Sequence, residues 1–205
     1  MAADIPRRTR KSAADRKAEI VETAVRLAGE LGPDRVTTQK IADAVGLTQP
    51  AVFRHFPAKT DIWLAVGEWI APSEPEANAL PPGVDAGTDP AALLRRVVAG
   101  YLDSIARNPA IPAILFSREL HAENEPLRAH IEKVMTRRRA RFAALIARAQ
   151  KAGQIPDRIN ADDMAALVLA LVQGLAMRWS LENRRFDLKD EGLRLLGQLL
   201  PAPDA

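Results

Sequence analysis

The sequence predicts an all-α fold. Apolar residues recur at intervals of three and four along most of the chain, and no stretch alternates as a half-buried strand would. Residues that cap helices, such as Asp89, Asn160 and Asp187, also precede the periodic segments. With 205 residues, of which 47% are hydrophobic and 27% charged, the chain can bury a substantial core. We expect about nine helices.

The elements can be placed in order from these periodicities and caps. The first helix is predicted over 12–31, because Gly32 and Pro33 follow its last apolar position. A loop rich in proline, glycine and acidic residues is predicted at 71–90. The other helices are predicted at 38–45, from Thr48, at 59–71, from Pro90 to Asn108, from Pro109, at 125–152, at 160–182 and from Asp187 to about 200.

Composition limits the kinds of site that the protein can form and indicates its cell compartment. The chain has no cysteine, so it can form no disulfide, thiol nucleophile or thiolate metal site, which is compatible with a reducing cytosol. Its first residues are polar and basic, without the apolar core of a signal peptide. The longest apolar run, 164–177, is interrupted by Gln173 and fits a buried helix better than a membrane span. We expect a cytoplasmic protein without a membrane segment.

Positive charge is concentrated near the start of the chain. Residues 1–62 hold 11 Lys and Arg against 8 Asp and Glu, whereas the remainder holds 18 of each, so the net charge of +3 lies entirely in the first part. We expect residues 1–11 to be a basic, flexible arm, which carries Arg7, Arg8, Arg10 and Lys11. Such an arm is either a solubilising tail or a contact for a polyanion such as DNA.

Residues 37–56 have the pattern of a helix-turn-helix. Two helices that cross steeply need a small residue in the first helix and a residue free to adopt positive φ in the turn, and Ala42 and Gly46 occupy these positions. Thr48 is a suitable N-cap, which places Gln49 and Pro50 in the first turn, where proline loses no hydrogen bond. Pro50 therefore marks the beginning of the second helix.

The residues of this second helix suit the major groove of DNA. Gln49 can pair with an adenine edge, Arg54 can bind guanine or a phosphate, and Pro50 and Ala51 offer apolar surface to a thymine methyl. Hydroxyls and a positive charge at the starts of the flanking helices suit phosphates. The alternative is an ordinary helical hairpin within a core. The predicted DNA contacts are Thr37, Thr38, Gln39, Thr48, Gln49, Pro50, Ala51, Phe53, Arg54, His55 and Lys59.

At these residues the sequence resembles the TetR/AcrR family of transcriptional regulators, in order and spacing, over about 18–66. The matching motifs are Thr37-Thr38, Ile41-Ala42, Val45-Gly46, Phe53-Arg54-His55-Phe56 and Lys59. One departure is Phe53, where the family usually has a tyrosine whose hydroxyl contacts a phosphate. Beyond residue 71 only the helical architecture matches.

The resemblance implies a fold and a mechanism. It implies a three-helix DNA-binding domain, 12–58, joined to a helical ligand-binding and dimerisation domain, 59–205. It also implies a homodimeric repressor that a small-molecule effector releases from a palindromic operator, as the helix through Trp63 and Trp69 shifts. The last two helices carry enough apolar surface to form the dimer interface. The alternative is that they only complete the core of the monomer.

One residue suggests a ligand contact. Arg138 falls in the middle of the apolar face of the helix at 125–152. It either anchors an anionic ligand or forms an ion pair with an acid such as Asp103 or Glu119. The neighbouring Arg137, Arg139 and Arg141 are interpreted as a solvated face. The predicted pocket consists of Tyr101, Phe116, Met135, Arg138, Phe142, Met177 and Trp179.

Two other classes of function fit the sequence less well. The three histidines, His55, His121 and His130, show no metal spacing, and no phosphate loop or nucleophile elbow is present, so neither an enzyme nor a cofactor or metal is predicted. His121 and His130 are interpreted as surface residues, and Glu119, Glu123 and Glu125 as helix surface. A helical adaptor that binds protein partners remains the alternative, although it would not require the basic arm or Gln49 and Arg54.

Overall fold

A computed structural model describes residues 11–72 and 87–200, and every regular element in these two ranges is helical. The elements are α1 Ala13–Leu31, a 3₁₀ turn Pro33–Arg35, α2 Thr38–Val45, α3 Gln49–Phe53, α4 Lys59–Ile70, α5 Pro90–Arg107, α6 Ala110–Leu115, α7 Arg118–Glu123, α8 Glu125–Lys151, α9 Ala161–Leu181 and α10 Leu188–Leu199. The predicted all-α fold is therefore confirmed.

The predicted caps begin their helices. The side chains of Asp89, Asn160 and Asp187 each accept a hydrogen bond from an N–H of the first turn of α5, α9 and α10. At α1, Ser12 and Asp15 form a reciprocal capping box. The hydroxyl and the backbone N–H of Ser12 donate to the Asp15 carboxylate, which lowers the pKa of that carboxyl.

The structure differs from the prediction in residues 109–123, where one expected helix is two. Helices α6 and α7 are separated at Ser117, whose backbone is extended. Its hydroxyl accepts a hydrogen bond of 3.1 Å from the N–H of Leu120 and so caps α7. This break raises the number of α-helices in the described ranges to ten. The predicted loop at 71–90 lies mostly outside the described residues.

Helices α1 to α4 enclose the N-terminal part of the core. Helix α1 packs against α2 and α4, and α3 packs against α2. The side chains that meet between them, Ile20, Ala24, Val52 and Val66, are fully buried, and Trp63 of α4 is 1% exposed. Burial of these apolar groups fixes the orientation of the short helices α2 and α3, which are too short to be stable alone.

Helices α5 to α10 form the C-terminal bundle. The long helix α8 packs against α9, α5 and α4, and α10 packs against α5 and α9. Phe142 of α8 and Leu102 of α5 are fully buried at its centre. Helix α10 approaches α5 closely at Gly192, where a Cβ would overlap Leu102. The bundle thus buries an extensive core within one chain.

Helix α9 is the one helix in the described ranges that is long and apolar enough to cross a membrane by length and composition alone. Core helices of soluble proteins meet the same criterion. Here one face of α9 packs against α8, α10, α5 and α6.

Three connections join the two parts of the molecule. The C-terminal end of α4 packs on α8, where the His130 ring donates a 2.9 Å hydrogen bond to the Ala71 carbonyl. Helix α1 packs on α6 at Gly29, where a Cβ would lie 3.2 Å from the Cβ of Ala110. The hydroxyl of Ser117 donates to the Asp34 carboxylate at 2.8 Å. These contacts connect α6, the start of α7 and α8 to α1, α4 and the turn between α1 and α2.

Candidate nucleic-acid interface and C-terminal cavity

The turn between α2 and α3 depends on Gly46. Its backbone is left-handed, with φ 67° and ψ 39°, a conformation that a side chain disfavours. The N–H of the next residue, Leu47, donates to the carbonyl of Ala42 at 2.9 Å and ends α2. Ala42 itself is completely buried, as a small residue at a helix crossing should be. The geometry matches the helix-turn-helix predicted from the sequence.

Helix α3 begins at Gln49, and Pro50 lies in its first turn as predicted. Thr48 precedes it with extended backbone, and its carbonyl accepts the N–H groups of Ala51 and Val52 at 3.0 and 3.2 Å. The Thr48 hydroxyl makes no capping hydrogen bond, contrary to expectation. The side chain of Thr48 is exposed beside the first turn of α3.

Helix α3 presents one face to solvent. Val52 is fully buried and anchors the helix on the core, whereas Pro50, Phe53 and Arg54 are exposed. Half-buried positions flank this face, namely Gln49, Ala51 and His55. The polar and charged side chains that were predicted to contact bases are among these exposed and half-buried residues. They therefore lie together on one short helix.

The residues that were predicted to contact phosphates differ in their exposure and in their hydrogen bonds. The Thr37 hydroxyl caps α2 by accepting the Lys40 N–H at 3.2 Å and remains on the surface. Thr38 is only 6% exposed, so little of its side chain reaches the surface, and its phosphate contact stays a prediction. Gln39 is exposed but donates to Asp43 at 2.6 Å, and Lys59 is the first residue of α4 and half-buried.

The basic arm is described only at its end. Arg7, Arg8 and Arg10 lie outside the described residues. Lys11 is exposed, and its ammonium lies 2.8 Å from the Glu19 carboxylate. This hydrogen bond, assisted by the charge of Arg16, lowers the pKa of Glu19.

Two lysines near this surface were missed by sequence reasoning. Lys40 of α2 is exposed, and its ammonium donates to the carbonyl of Arg35 at 2.9 Å. Lys17 of α1 lies 5.4 Å from the ring centre of Phe56. The position of Lys40, three residues after the cap Thr37, could have indicated it as a first-turn cation beside the DNA-facing helices. Lys17 required knowledge of the α1 packing.

The predicted ligand-pocket residues do not form a single pocket. Tyr101 and Arg138 line a cavity of about 340 Å³ between α5, α8 and the end of α4, and Met135 joins them at a smaller void beside it. Phe116 and Met177 line a different depression on the surface. Phe142 and Trp179 are buried core residues: Phe142 meets Tyr101 edge-on at 5.8 Å, and Trp179 donates to the Phe186 carbonyl.

The arginines of α8 also differ from expectation. Arg141, predicted on a solvated face with Arg137 and Arg139, is only 8% exposed and lines the same cavity as Arg138. The spacing of three residues places Arg138 and Arg141 on one helix face, so this pairing was readable from the sequence. Asp103 is one of the acids that the sequence offered as a partner for Arg138. Its Oδ2 lies 3.0 Å from Nζ of Lys189.

The two C-terminal histidines are not simple surface residues. His121 and His130 are half-buried, and their rings bond to the carbonyls of Leu115 and Ala71 respectively. Both carbonyls lie at the C-terminal ends of helices, where backbone acceptors lack an intrahelical partner. These histidines therefore tie helix ends to neighbouring elements. Within the described ranges, no group of three or more metal-binding side chains occurs.

Known proteins share this architecture. The nucleoid occlusion factor SlmA of Escherichia coli is 28% identical to this chain over 169 residues, which cover 80% of this chain and 83% of that protein. NalD of Pseudomonas aeruginosa, the secondary repressor of the MexAB-OprM multidrug efflux pump, superposes with a TM-score of 0.76 at 20% identity, over 95% of this chain and all of NalD. Thermus thermophilus FadR, a repressor solved with lauroyl-CoA, has a TM-score of 0.57 at 20% identity, over 92% of this chain and all of FadR.

Family models match both parts of the chain. The model of bacterial regulatory proteins of the tetR family matches residues 20–66, which contain the helix-turn-helix. The model of the tetracyclin repressor-like C-terminal domain matches residues 90–189. Together they cover more than half of the sequence. The chain therefore belongs to the tetR family of bacterial regulatory proteins and is a DNA-binding regulator of transcription.

Proposed function

We propose that this protein is a repressor that binds a palindromic operator as a homodimer and leaves it when a small molecule occupies the C-terminal bundle. The observation that carries the proposal is the exposed face of α3, held by the left-handed turn at Gly46. It offers Gln49, Arg54 and the apolar Pro50 to the major groove from a helix whose opposite face is buried. The division at residue 58 into DNA-binding and regulatory domains is part of the same proposal.

Dimerisation through α9 and α10 is supported by the outer surface of α9. Leu167, Met177 and Leu181 of α9 are 49%, 36% and 74% exposed, whereas Val168, Val172 and Leu175 on the opposite side of the helix are buried. No other element among the described residues comes within 4 Å of a Cβ built on the exposed Gly174, so a second helix has room to approach there. A twofold mate would cover this apolar surface and would present two α3 helices to half-sites about one DNA turn apart.

Ligand control is supported by the connections between the two parts. The cavity of about 340 Å³ is lined by Ile70 and Pro72 at the C-terminal end of α4, and α4 is the helix that follows the helix-turn-helix. A ligand that changes the distance between α5 and α8 would move α4 through its contact with α8. The two α3 helices of a dimer would then no longer match successive major grooves, about 34 Å apart.

The relatives agree with this assignment. NalD is a repressor, and the repressor FadR of Thermus thermophilus was solved with lauroyl-CoA, so the same fold can combine repression with binding of a small molecule. We propose that the present chain likewise acts by binding rather than by catalysis. Its place of action would be the cytoplasm, where its operator lies.

Binding to DNA from upstream of the protein's own gene tests the proposal. We expect saturable binding of a dimer to a palindrome, with an affinity that falls steeply as salt rises, because phosphate contacts release counterions. A selection from random duplexes would define the half-site independently. Binding to no duplex above background would refute the proposal and favour a helical adaptor that binds protein partners.

A further inference from the structure

An interdomain groove lies where α1 and α4 meet the C-terminal bundle. Val25 and Arg26 of α1 and Trp69 of α4 line it from the N-terminal part, and residues 107–110 and Arg184 line it from the bundle. Its volume is about 360 Å³, at the lower end for small-molecule sites. Among the described residues it shares no wall with the cavity beside Tyr101. A ligand in this groove would contact both parts of the molecule at once.

Trp69 gives the interdomain groove an exposed aromatic surface. It is 41% exposed, whereas the other two tryptophans, Trp63 and Trp179, are 1% and 6% exposed. Val25 and Ala110, which also line the groove, are buried apolar residues. A planar ring that stacked on Trp69 would remove apolar surface of both partners from water. The groove therefore suits a ligand with an aromatic body.

The charges of the groove favour an anion. Its described lining contains three guanidinium groups and two carboxylates. Arg26 and Glu30 pair with each other, with 2.9 Å between Nη1 and Oε1. The side chains of Arg107, Arg184 and Glu22 form no ion pair or hydrogen bond with any part of the chain that the structure describes. The charges that remain are two positive and one negative, and arginine pairs readily with a carboxylate through two parallel N–H···O bonds.

The backbone of Arg184 supports a role for its side chain. Asn183 and Arg184 have φ values of 52° and 62°, both in the left-handed region. The N–H of Arg184 donates to the carbonyl of Trp179 at 2.8 Å, which fixes the turn that follows α9. Asparagine tolerates this region better than arginine does, and glycine adopts it without steric cost. A residue held in an unfavourable conformation is a candidate for function, and here that residue places a guanidinium at the groove.

We propose that the interdomain groove binds an aromatic carboxylate, with its ring on Trp69 and its carboxylate on Arg107 and Arg184. The bound molecule bridges α4 to the end of α5 and to the turn after α9. The inference goes beyond the proposed function, because this groove is a second site and its occupation requires neither an operator nor a dimer.

Binding to the DNA-free protein tests this inference. The probes are phenylacetate and 3-phenylpropionate at millimolar concentration, each compared with its uncharged amide and with its cyclohexyl analogue. We expect at least one probe to raise the midpoint temperature of unfolding. The amide should bind about tenfold more weakly or worse, because it lacks the charge. The cyclohexyl analogue should bind at least about twofold more weakly, because it cannot stack.

Tryptophan fluorescence locates the bound probe. A ring on Trp69 should reduce the quenching of protein fluorescence by acrylamide, since Trp69 is the exposed tryptophan. In Trp69→Leu the remaining tryptophans, Trp63 and Trp179, are buried. The probe should therefore bind more weakly to this variant and should no longer change the quenching.

Four charge variants assign the binding to the groove. Arg107→Gln and Arg184→Gly should each weaken binding of the tighter probe by about tenfold, because each removes a charge-assisted donor. Glycine relieves the left-handed conformation at position 184, so lost affinity in Arg184→Gly cannot be ascribed to unfolding. Glu22→Gln should strengthen binding by about twofold, because it removes a negative charge from the groove wall. Arg185→Gln is the matched control, since Arg185 is an exposed neighbour that is not part of the described lining, and its affinity should equal that of the wild type.

Several results would overturn the site. They are binding of neither probe, equal binding of carboxylate and amide, and unchanged affinity in Arg184→Gly or Arg107→Gln. An equal loss of affinity in Arg185→Gln and Arg184→Gly would indicate diffuse attraction to a basic surface and would also refute the groove as a site. Stabilisation by a probe that left acrylamide quenching unchanged would place the ligand away from Trp69 and contradict the inference.

Discussion

Leu127 of α8 packs directly against the bare backbone of Gly67 on α4, because a Cβ built on Gly67 would lie 2.5 Å from Cδ1 of Leu127. Both residues are buried. His130, one turn further along α8, bonds to the Ala71 carbonyl just beyond α4. Two contacts therefore join α4 to the C-terminal bundle. They are the contact of Gly67 with Leu127 and that of Ala71 with His130. Their close fit explains a glycine inside a helix, which otherwise costs stability.

Gly67→Ala should therefore fail to give the usual benefit of alanine in a helix. Alanine in place of a helical glycine stabilises by about 0.5–1 kcal/mol, but here the added Cβ must displace Leu127. Gly100→Ala in α5 is the matched control, since no neighbouring element in the described part of the chain comes within 4 Å of its Cβ. We expect the free energies of unfolding in urea, at equal protein concentration, to differ between the two variants by at least about 1 kcal/mol.

A second measurement reports on function. Because Gly67→Ala separates α4 from α8, its affinity for the operator should change, whereas that of Gly100→Ala should stay at the wild-type value. Equal stability changes in the two variants would show that Leu127 yields without cost. Unchanged operator affinity in Gly67→Ala would show that this contact does not set the position of the DNA-binding helices.

The sequence predicted those features that depend on neighbouring residues. Gly46 and Pro50 have conformational requirements that hold in any context, so the turn and the start of α3 could be placed correctly. The burial of Thr38 and Arg141 depends on packing between helices distant in sequence, and neither was foreseen. The contact between Gly67 and Leu127 likewise joins residues of α4 and α8, and a single sequence carries no signal for such a pair.

Gln49 and Lys59 should have different roles on DNA. Gln49 lies in the first turn of α3, so Gln49→Ala should relax the preference at one base position and cost about 1–3 kcal/mol on the preferred site. Lys59 begins α4, so Lys59→Ala should weaken binding to all duplexes alike and reduce the salt slope by about 1. Affinities for the selected site, its single-base variants and random duplex, each at several salt concentrations, distinguish these effects.

Lys133→Ala provides the control for charge alone, because Lys133 is exposed on α8 in the C-terminal bundle. It should leave both the affinity and the salt slope unchanged. If Gln49→Ala weakened binding to specific and random duplexes by the same factor, Gln49 would be a backbone contact and not a reader of bases.

Phe53→Tyr should strengthen binding to DNA of any sequence. Phe53 is 38% exposed on α3, and tyrosine would add a hydroxyl at the edge of a ring that already lies on the surface. A hydrogen bond from this hydroxyl to a phosphate is worth about 0.5–1.5 kcal/mol, or roughly a 2- to 10-fold gain in affinity. Titration of specific and random duplexes measures it, and a gain confined to the specific site would indicate a base contact instead.

Leu167→Glu should disrupt the dimer without unfolding the protomer. Leu167 is 49% exposed on α9, so a charge there is tolerated in the monomer but would be buried without a partner in a twofold interface. Leu31→Glu is the matched control, because Leu31 is a 38% exposed leucine at the end of α1, outside the two helices of the proposed interface. Sedimentation velocity should show Leu167→Glu as monomer at concentrations where the wild type and Leu31→Glu are dimers. Its circular dichroism should remain helical, and its operator affinity should fall to that of one half-site. Retention of the dimer by Leu167→Glu would place the interface on another surface.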